Sequence, residues 1–250
     1  MLVALMDHDT SPAAELIRGI NQKNFSNVLL LIPTLNEEEA VERLVLESKS
    51  SGFTNILVVD GFSTDRTREV AKKAGAQVIE QEFGKGKGCG VRTGMNVFLQ
   101  SDADVLCIVD GDGTNIPSCL NEMISLVQSD RADVVLGSRT RGRRDPHSMN
   151  ILSLASNLTV SFLLGAKFGR LFTDIQTGYW AFTRNAVQKI YPRIRSTGFE
   201  IELEMFVQSF KERLRVSEVP VGFRKRSGTT KFSFVLRLRN LYYAFKFLTA

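Results

Sequence analysis

Residues 105–114 read Val-Leu-Cys-Ile-Val-Asp-Gly-Asp-Gly-Thr, and five apolar side chains give way at once to two carboxylates separated by a single glycine. A run this short and this apolar reads as a strand covered on both faces, the usual situation in a parallel sheet flanked by helices. In extended backbone residues i and i+2 point to the same side, so Asp110 and Asp112 aim at one spot beyond the strand's carboxyl end. That is where open α/β sheets bind ligands. Two hard oxygen ligands there suit Mg²⁺ or Mn²⁺, and with such an ion a substrate that carries phosphates. Asp and Gly are also ordinary turn residues, so the rest of the chain has to decide between the two readings.

Apolar runs of the same kind occupy 28–32 and 56–59, further strands read at 76–80 and 133–136, and helical patterns lie between them. After 28–32, Pro33 stops the strand before a helix whose apolar positions include Val41, Leu44 and Val45; Gly75 and Pro117 sit where a helix end and a helix start prefer them. The alternation predicts an α/β fold with a doubly wound, mostly parallel sheet. Beyond residue 137 the texture changes to an arginine-rich loop at 140–148, an apolar helix at 151–166, and a strand at 181–183. A helix follows from 185, another opens in 198–204, 216–223 alternates like a strand, and 232–248 reads as a basic, aromatic helix. The expected organisation is an N-terminal extension over 1–26 with a helix at 13–20, one domain over 27–231, and a C-terminal basic aromatic helix over 232–250.

At 250 residues, 43% hydrophobic and 24% charged, the chain has the composition of a soluble globular protein and not of a disordered one. The net charge of +5 is unevenly placed: Arg139, Arg141, Arg143 and Arg144 fall within six positions, and 211–239 is strongly basic. Such a surface suits nucleic acid, anionic lipid or a phosphorylated substrate. No RNA-binding motif accompanies it, and paired carboxylates repel a phosphate backbone, so no nucleic-acid partner is expected. Three cysteines without zinc-type spacing fit reduced thiols and a cytoplasmic setting, and no secretory signal is read at residues 1–10. The longest apolar stretch is shorter than the ~20 residues of a spanning helix and is dotted with serines, so it reads as a core or interfacial helix. The two histidines, His8 and His147, lie in the extension and in a loop, which removes histidine-based triads.

Residues 84–90, Gly-Lys-Gly-Lys-Gly-Cys-Gly, match neither a dinucleotide fingerprint nor a P-loop. Glycine allows close backbone approach and a helix N-terminus favours anions, so these amides and Lys87 can face a diphosphate. A turn with solvated lysines accounts for the segment equally well.

Taken in order, Ile32-Pro-Thr-Leu-Asn-Glu37, Val59-Asp-Gly-Phe-Ser-Thr-Asp65, Gly86-Lys-Gly88 with Arg92 and Gly94, Asp110-Gly-Asp112, Gly137-Ser-Arg139, Asp174-Ile-Gln-Thr-Gly-Tyr179, Gly198-Phe-Glu200 and Arg226-Ser-Gly-Thr-Thr-Lys231 resemble the inverting nucleotide-sugar glycosyltransferases of the GT-A fold. Within these the likeness is to the dolichol-phosphate mannose and glucose synthases, and it covers 27–232. The resemblance implies that Pro33, Glu37 and Asp60 line the nucleotide pocket, Asp60 accepting hydrogen bonds from the base. It implies that Asp110 and Asp112 hold the divalent ion on the diphosphate, that Lys87 and Glu200 belong to the substrate site, and that Arg226 and Lys231 sit near the phosphates. Arg139 would meet the lipid phosphate. The synthases often carry Gln where this chain has Thr114, and an arginine near Ser153 that is absent here, a gap that Arg141, Arg143 and Arg144 would fill.

The implied reaction moves mannose or glucose from GDP-mannose or UDP-glucose to a polyprenyl (dolichyl) phosphate. Its acceptor is already an anionic nucleophile, so positioning and charge neutralisation suffice and no strong base is required. Transfer to a saccharide or small-molecule hydroxyl would need a carboxylate base, for which Asp174 is the candidate; a non-catalytic nucleotide-sugar or RNA-binding protein is the remaining alternative. Helices 151–168 and 232–248 suggest attachment to the cytoplasmic face of a membrane surface, against the plainer reading that both pack on the sheet. A separate membrane subunit is left open.

Overall fold

The computed structural model describes residues 25–146, 148–226 and 234–249, with side chains from 239 onward in the last segment. The expected helix at 13–20 and Lys231 lie outside the described residues. Seven strands form one sheet: β1 (Val28–Thr34), β2 (Asn55–Asp60), β3 (Gln77–Glu80), β4 (Val105–Ile108), β5 (Val134–Ser138), β6 (Trp180–Thr183) and β7 (Val216–Pro220). Their order is β3-β2-β1-β4-β6-β5-β7. All neighbours run parallel except β6, which is antiparallel to β4 and to β5.

The helices are α1 (Glu38–Ser50), α2 (Thr67–Lys73), α3 (Lys87–Gln100), α4 (Leu120–Gln128), α5 (Ile151–Lys167), α6 (Arg184–Ile190), α7 (Ile201–Lys211) and α8 (Phe234–Thr249). Alternate residues of the central strands feed two cores. Leu29, Leu31, Leu106 and Ile108 pack with Met95 and Phe98 of α3. Val28, Leu30, Ile32 and Cys107 pack with Val41 and Leu44 of α1 and Met123 of α4. Burial on both faces is why β1 and β4 read as unbroken apolar runs rather than alternating ones.

Three local departures from the sequence reading have physical causes. Helix α3 starts at Lys87, not at 91, although glycine is a poor helix former. Side chains at Gly86 and Gly88 would collide with the backbone of Thr197 and Ser196, and one at Gly94 with Leu31, so close packing fixes these glycines. Strand β7 ends at Pro220, one last bond running from the Val221 N–H to Ser138 O, and Phe223 makes only isolated bridges to Asn115 and Arg144. Finally, the reversal of β6 has no cue in its apolar pattern. It puts the segment before the strand, residues 174–179, at the same edge as the carboxyl ends of β1, β4 and β5.

Candidate active site

The chain leaves β1 toward β2 on one side and reaches β4 on the other, and this switch point opens a crevice at the strands' carboxyl ends. Pro33 and Thr34 end β1, and Thr34 lies in register with Asp60, the last residue of β2. Asp60 is fully buried; its Oδ2 accepts the Ser63 N–H at 2.9 Å and its Oδ1 has no hydrogen-bond partner among the described residues. An unsatisfied buried carboxylate oxygen is costly, and its chemistry matches the N–H donor of a nucleobase.

Beyond β4, Gly111 packs against Thr34, and Gly178 lies so close under the Asp110 carboxyl that any side chain at 178 would displace it. The Asp110 Oδ1 lies 2.6 Å from Lys87 Nζ, and Lys87 also pairs with Glu202 at the start of α7. Burial alone would lower the Lys87 pKa, but the Asp110 and Glu202 carboxylates overcome it and hold the ammonium firmly charged. Burial pushes the Glu202 carboxyl up, and Asp110 adds to that push while Lys87 opposes it. Asp112 accepts the Thr114 hydroxyl at 2.6 Å on Oδ1 and Arg226 Nη1 at 2.9 Å on Oδ2. Arg226 Nη2 reaches on to Glu37 Oε1 at 2.5 Å. Lys87, Asp110, Asp112, Glu37 and Arg226 thus form one cluster from four separate stretches of chain.

A second cluster follows β5. Arg139 donates from Nε and Nη2 to the two oxygens of Asp174, each at 2.7 Å, and its backbone N–H donates to the same carboxylate at 2.8 Å. Asn157 of α5 adds a further bond to Asp174 Oδ1 at 2.7 Å. Arg139 Nη2 also reaches Gln176 O, and its guanidinium lies over the Phe223 ring. Asp174 is completely buried. With its oxygens committed in this way it cannot approach a substrate hydroxyl, and the structure gives it the work of orienting Arg139.

Arg141 is half-exposed, 3.7 Å from Glu218, and Arg143 and Arg144 are exposed on the same loop. Glu200 is buried; its Oε1 accepts the Gly198 N–H at 3.0 Å, and Oε2 lies 3.2 Å from Arg239 Nη2 of α8 without hydrogen-bond alignment. Tyr179 ties the segments together, donating to Gly222 O at 2.7 Å and accepting the Ile116 N–H. No sequence-based expectation falls on Glu202, Asn157 or Gln176. A signal for Glu202 was there: the two carboxylates in Ile-Glu-Leu-Glu-Met-Phe-Val, Glu202 and Glu204, sit among apolar residues and must find partners once buried.

Asp110 and Asp112 make a donor set of two hard carboxylates. That fits an ion such as Mg²⁺, which takes one or two protein carboxylates and completes its shell with substrate phosphate and water. The described residues hold no group of three or more His, Cys, Asp or Glu arranged as a full metal cage.

The glycosyl transferase family 2 model matches residues 30–191. A dolichyl-phosphate hexose transferase of Haloferax volcanii is 31% identical over 85% of this chain and 89% of that protein. The glycosyltransferase AglJ of the same organism is 36% identical over 80% of this chain and 63% of its own length. Among solved structures, glucosyl-3-phosphoglycerate synthase from Mycobacterium tuberculosis, in complex with Mn²⁺, UDP-glucose and phosphoglyceric acid, superposes with a TM-score of 0.70. It covers 98% of this chain and 86% of that one at 15% identity, and so shares the GT-A fold.

Proposed function

The chain belongs to glycosyl transferase family 2, and from that premise we propose that it moves a hexose from a nucleoside diphosphate sugar to a polyprenyl phosphate, with inversion at the anomeric carbon. One observation carries the choice of acceptor. A hydroxyl acceptor needs a base, and Asp174, the carboxylate available for that role, is buried and bound by Arg139 and Asn157. A phosphate monoester arrives already ionised near neutral pH and needs none. The Haloferax relative's name carries the same acceptor class.

In this reading Asp60 offers its unpaired Oδ1 to the base of GDP-mannose or UDP-glucose, with Pro33 and Glu37 along the same wall. Asp110 and Asp112 would hold Mg²⁺ or Mn²⁺, which when bound supplies charge neutralisation for the departing diphosphate. Lys87 and Arg226 bring two further cations to the same place. An acceptor phosphate oxygen forms the new bond to the anomeric carbon as the bond to the nucleoside diphosphate breaks, so what the protein contributes is in-line placement of two anions. Arg139, oriented by Asp174, faces that junction together with Arg141, Arg143 and Arg144 of its loop.

The acceptor's lipid tail accounts for an otherwise expensive surface. Ile151, Leu152, Leu158 and Phe162 are exposed on α5, Tyr242 and Phe245 on α8, and Leu171 between the two. Helices α5 and α8 pack on each other, Lys167 donating to Phe247 O and Leu248 O. No helix among the described residues is long and apolar enough to cross a membrane. Apolar side chains beside lysines and arginines suit the interface of an anionic bilayer, here on its cytoplasmic face. Flotation with anionic liposomes at low salt is expected to carry the protein upward; protein that stays at the bottom removes this attachment.

The direct test incubates the protein with Mg²⁺ or Mn²⁺, labelled nucleotide sugars and a short polyprenyl phosphate. Label entering the organic phase is expected. Label that stays aqueous with every donor, or that moves to an added saccharide, overturns the proposal.

A further inference from the structure

The two aspartates of the crevice are held in the same unusual way. Asp110 pairs with Lys87, and Lys87 is anchored at its far side by Glu202. Asp112 pairs with Arg226, and Arg226 is anchored at its far side by Glu37. Each aspartate therefore faces a cation that has a second carboxylate to fall back on, four carboxyl groups sharing two cations. The side chains of Lys87 and Glu202 are 15% and 6% exposed, those of Arg226 and Glu37 20% and 10%, so none of the four has bulk water as an easy alternative partner. A surface arrangement for solubility would leave the charges wet.

We propose that Lys87–Glu202 and Arg226–Glu37 are tethered cations that occupy Asp110 and Asp112 until a nucleoside diphosphate arrives, so that divalent metal and nucleotide bind in strongly coupled fashion. The inference rests on the metal reading given above and goes beyond it by assigning Glu202 and Glu37 as positioning residues. Without nucleotide, an entering divalent cation meets an ammonium and a guanidinium already seated on its ligands, and like charges a few ångströms apart repel. The diphosphate supplies oxygens for the metal and negative charge for the displaced cations. Glu202 and Glu37 keep those cations within reach while they change partners. By linkage the metal must raise nucleotide affinity by the same factor that nucleotide raises metal affinity.

The test follows free Mn²⁺ by electron paramagnetic resonance in the intact protein, with and without GDP or UDP, and needs no turnover. For the wild type, nucleotide is expected to tighten Mn²⁺ binding by about tenfold or more, within the usual range of coupling between sites. Lys87→Met should bind Mn²⁺ alone about fivefold tighter and lose most of the nucleotide's enhancement, while Lys87→Arg, which keeps the charge, should retain it. Arg226→Gln is an independent arm at Asp112 with the same expectation. Glu202→Gln should reduce the enhancement in the wild type and leave it unchanged in the Lys87→Met background, because Glu202 acts through Lys87. A purely local charge effect would instead move both Mn²⁺ constants together. Equal enhancement in the wild type, Lys87→Met and Arg226→Gln overturns the tethered-cation device while leaving the metal site standing. No Mn²⁺ uptake by the wild type with either nucleotide overturns the metal reading itself.

Discussion

The two edges of the sheet use arginine for opposite ends. At the amino-terminal edge Arg184 donates to Ser101 O at 2.7 Å, to Leu99 O and Phe98 O at 3.3 Å each, and to Ala103 O. These are carbonyls at and just beyond the end of α3, where the helix runs out of N–H donors, and Phe98 O also accepts the Ser101 N–H at 3.1 Å. Arg215 there binds Asp133 and Asp130 at the surface. Every one of those interactions ends on a group of the fold itself. At the carboxyl-terminal edge the cations shared between carboxylates are mostly buried, an oxygen of Asp60 has no partner among the described residues, and the groups come from stretches more than a hundred residues apart. Charges that complete a fold leave nothing over; charges that await a ligand do.

That contrast breaks most sharply at Asp112. Asp112→Asn should lower turnover about 10²–10³-fold, the usual loss when one stabilising group for developing charge is removed, while the circular dichroism spectrum stays that of the wild type. Retention of full activity by this variant in chelator-treated, metal-free buffer would rule out a metal held by Asp110 and Asp112 as part of the reaction.

Asp174 belongs to the functional edge by position and to the structural one by its bonds, so its replacement sharpens the comparison. Asp174→Asn leaves the buried Arg139 guanidinium without its counter-ion and should cost about 3–5 kcal/mol in urea denaturation. Arg139→Met combined with Asp174→Leu should recover much of that stability, since apolar substitutes for a buried pair are often neutral. It should not recover transfer. Full activity in the double variant would remove Arg139 from the acceptor site.

At the opposite edge, Arg184→Met should cost about 1–3 kcal/mol by stranding carbonyls with both KM values unchanged. A shift in the KM for the nucleotide sugar would mean that the edges are not separate. Replacing Arg143 and Arg144 together by Ala should raise the KM for polyprenyl phosphate about fivefold, as expected for losing exposed charge contacts worth ~1 kcal/mol, and leave the donor KM alone. A change confined to the donor would assign the loop to the other substrate.

The smallest effect is expected at Asp133. Hydrogen bonds and charge from Arg215 hold its carboxyl below the ordinary value near 3.8, so its contribution is present above that value and fades as pH falls through the lower folded one. Asp133→Asn should therefore destabilise by less than ~1 kcal/mol at pH 7, and the difference from the wild type should vanish in acid.

How much of this was legible in the sequence follows the range of the interactions. Asp110 and Asp112 were readable because strand periodicity and an abrupt end are local, and the structure places both at the crevice. So were β1, β2, β4 and β5, whose two-sided burial writes an unbroken apolar run. The reversal of β6 was not readable, because three apolar residues and a threonine look the same in either direction. The partners of Lys87 and Asp174 were hidden for a related reason: Glu202 is 115 residues from Lys87 and Asn157 lies on another helix. The glycines at 86 and 88 invited a phosphate reading, and what demands them is the backbone of 196–197, a neighbour that sequence spacing cannot reveal.

Because β6 runs against its neighbours, the chain leaves the sheet at Ser138 and returns at Asp174 on the same edge. The departure and the return are fastened to each other by Ser138 with Thr173 and by Arg139 with Asp174. Everything between them, the arginine loop and the exposed helix α5 included, is an excursion clasped at its base. Its length can change without altering strand order, so long as Asn157, Val160 and Leu164 keep α5 fastened to Asp174 and the core. Under the proposed acceptor role, grafting this interval between relatives would exchange the acceptor and keep the donor.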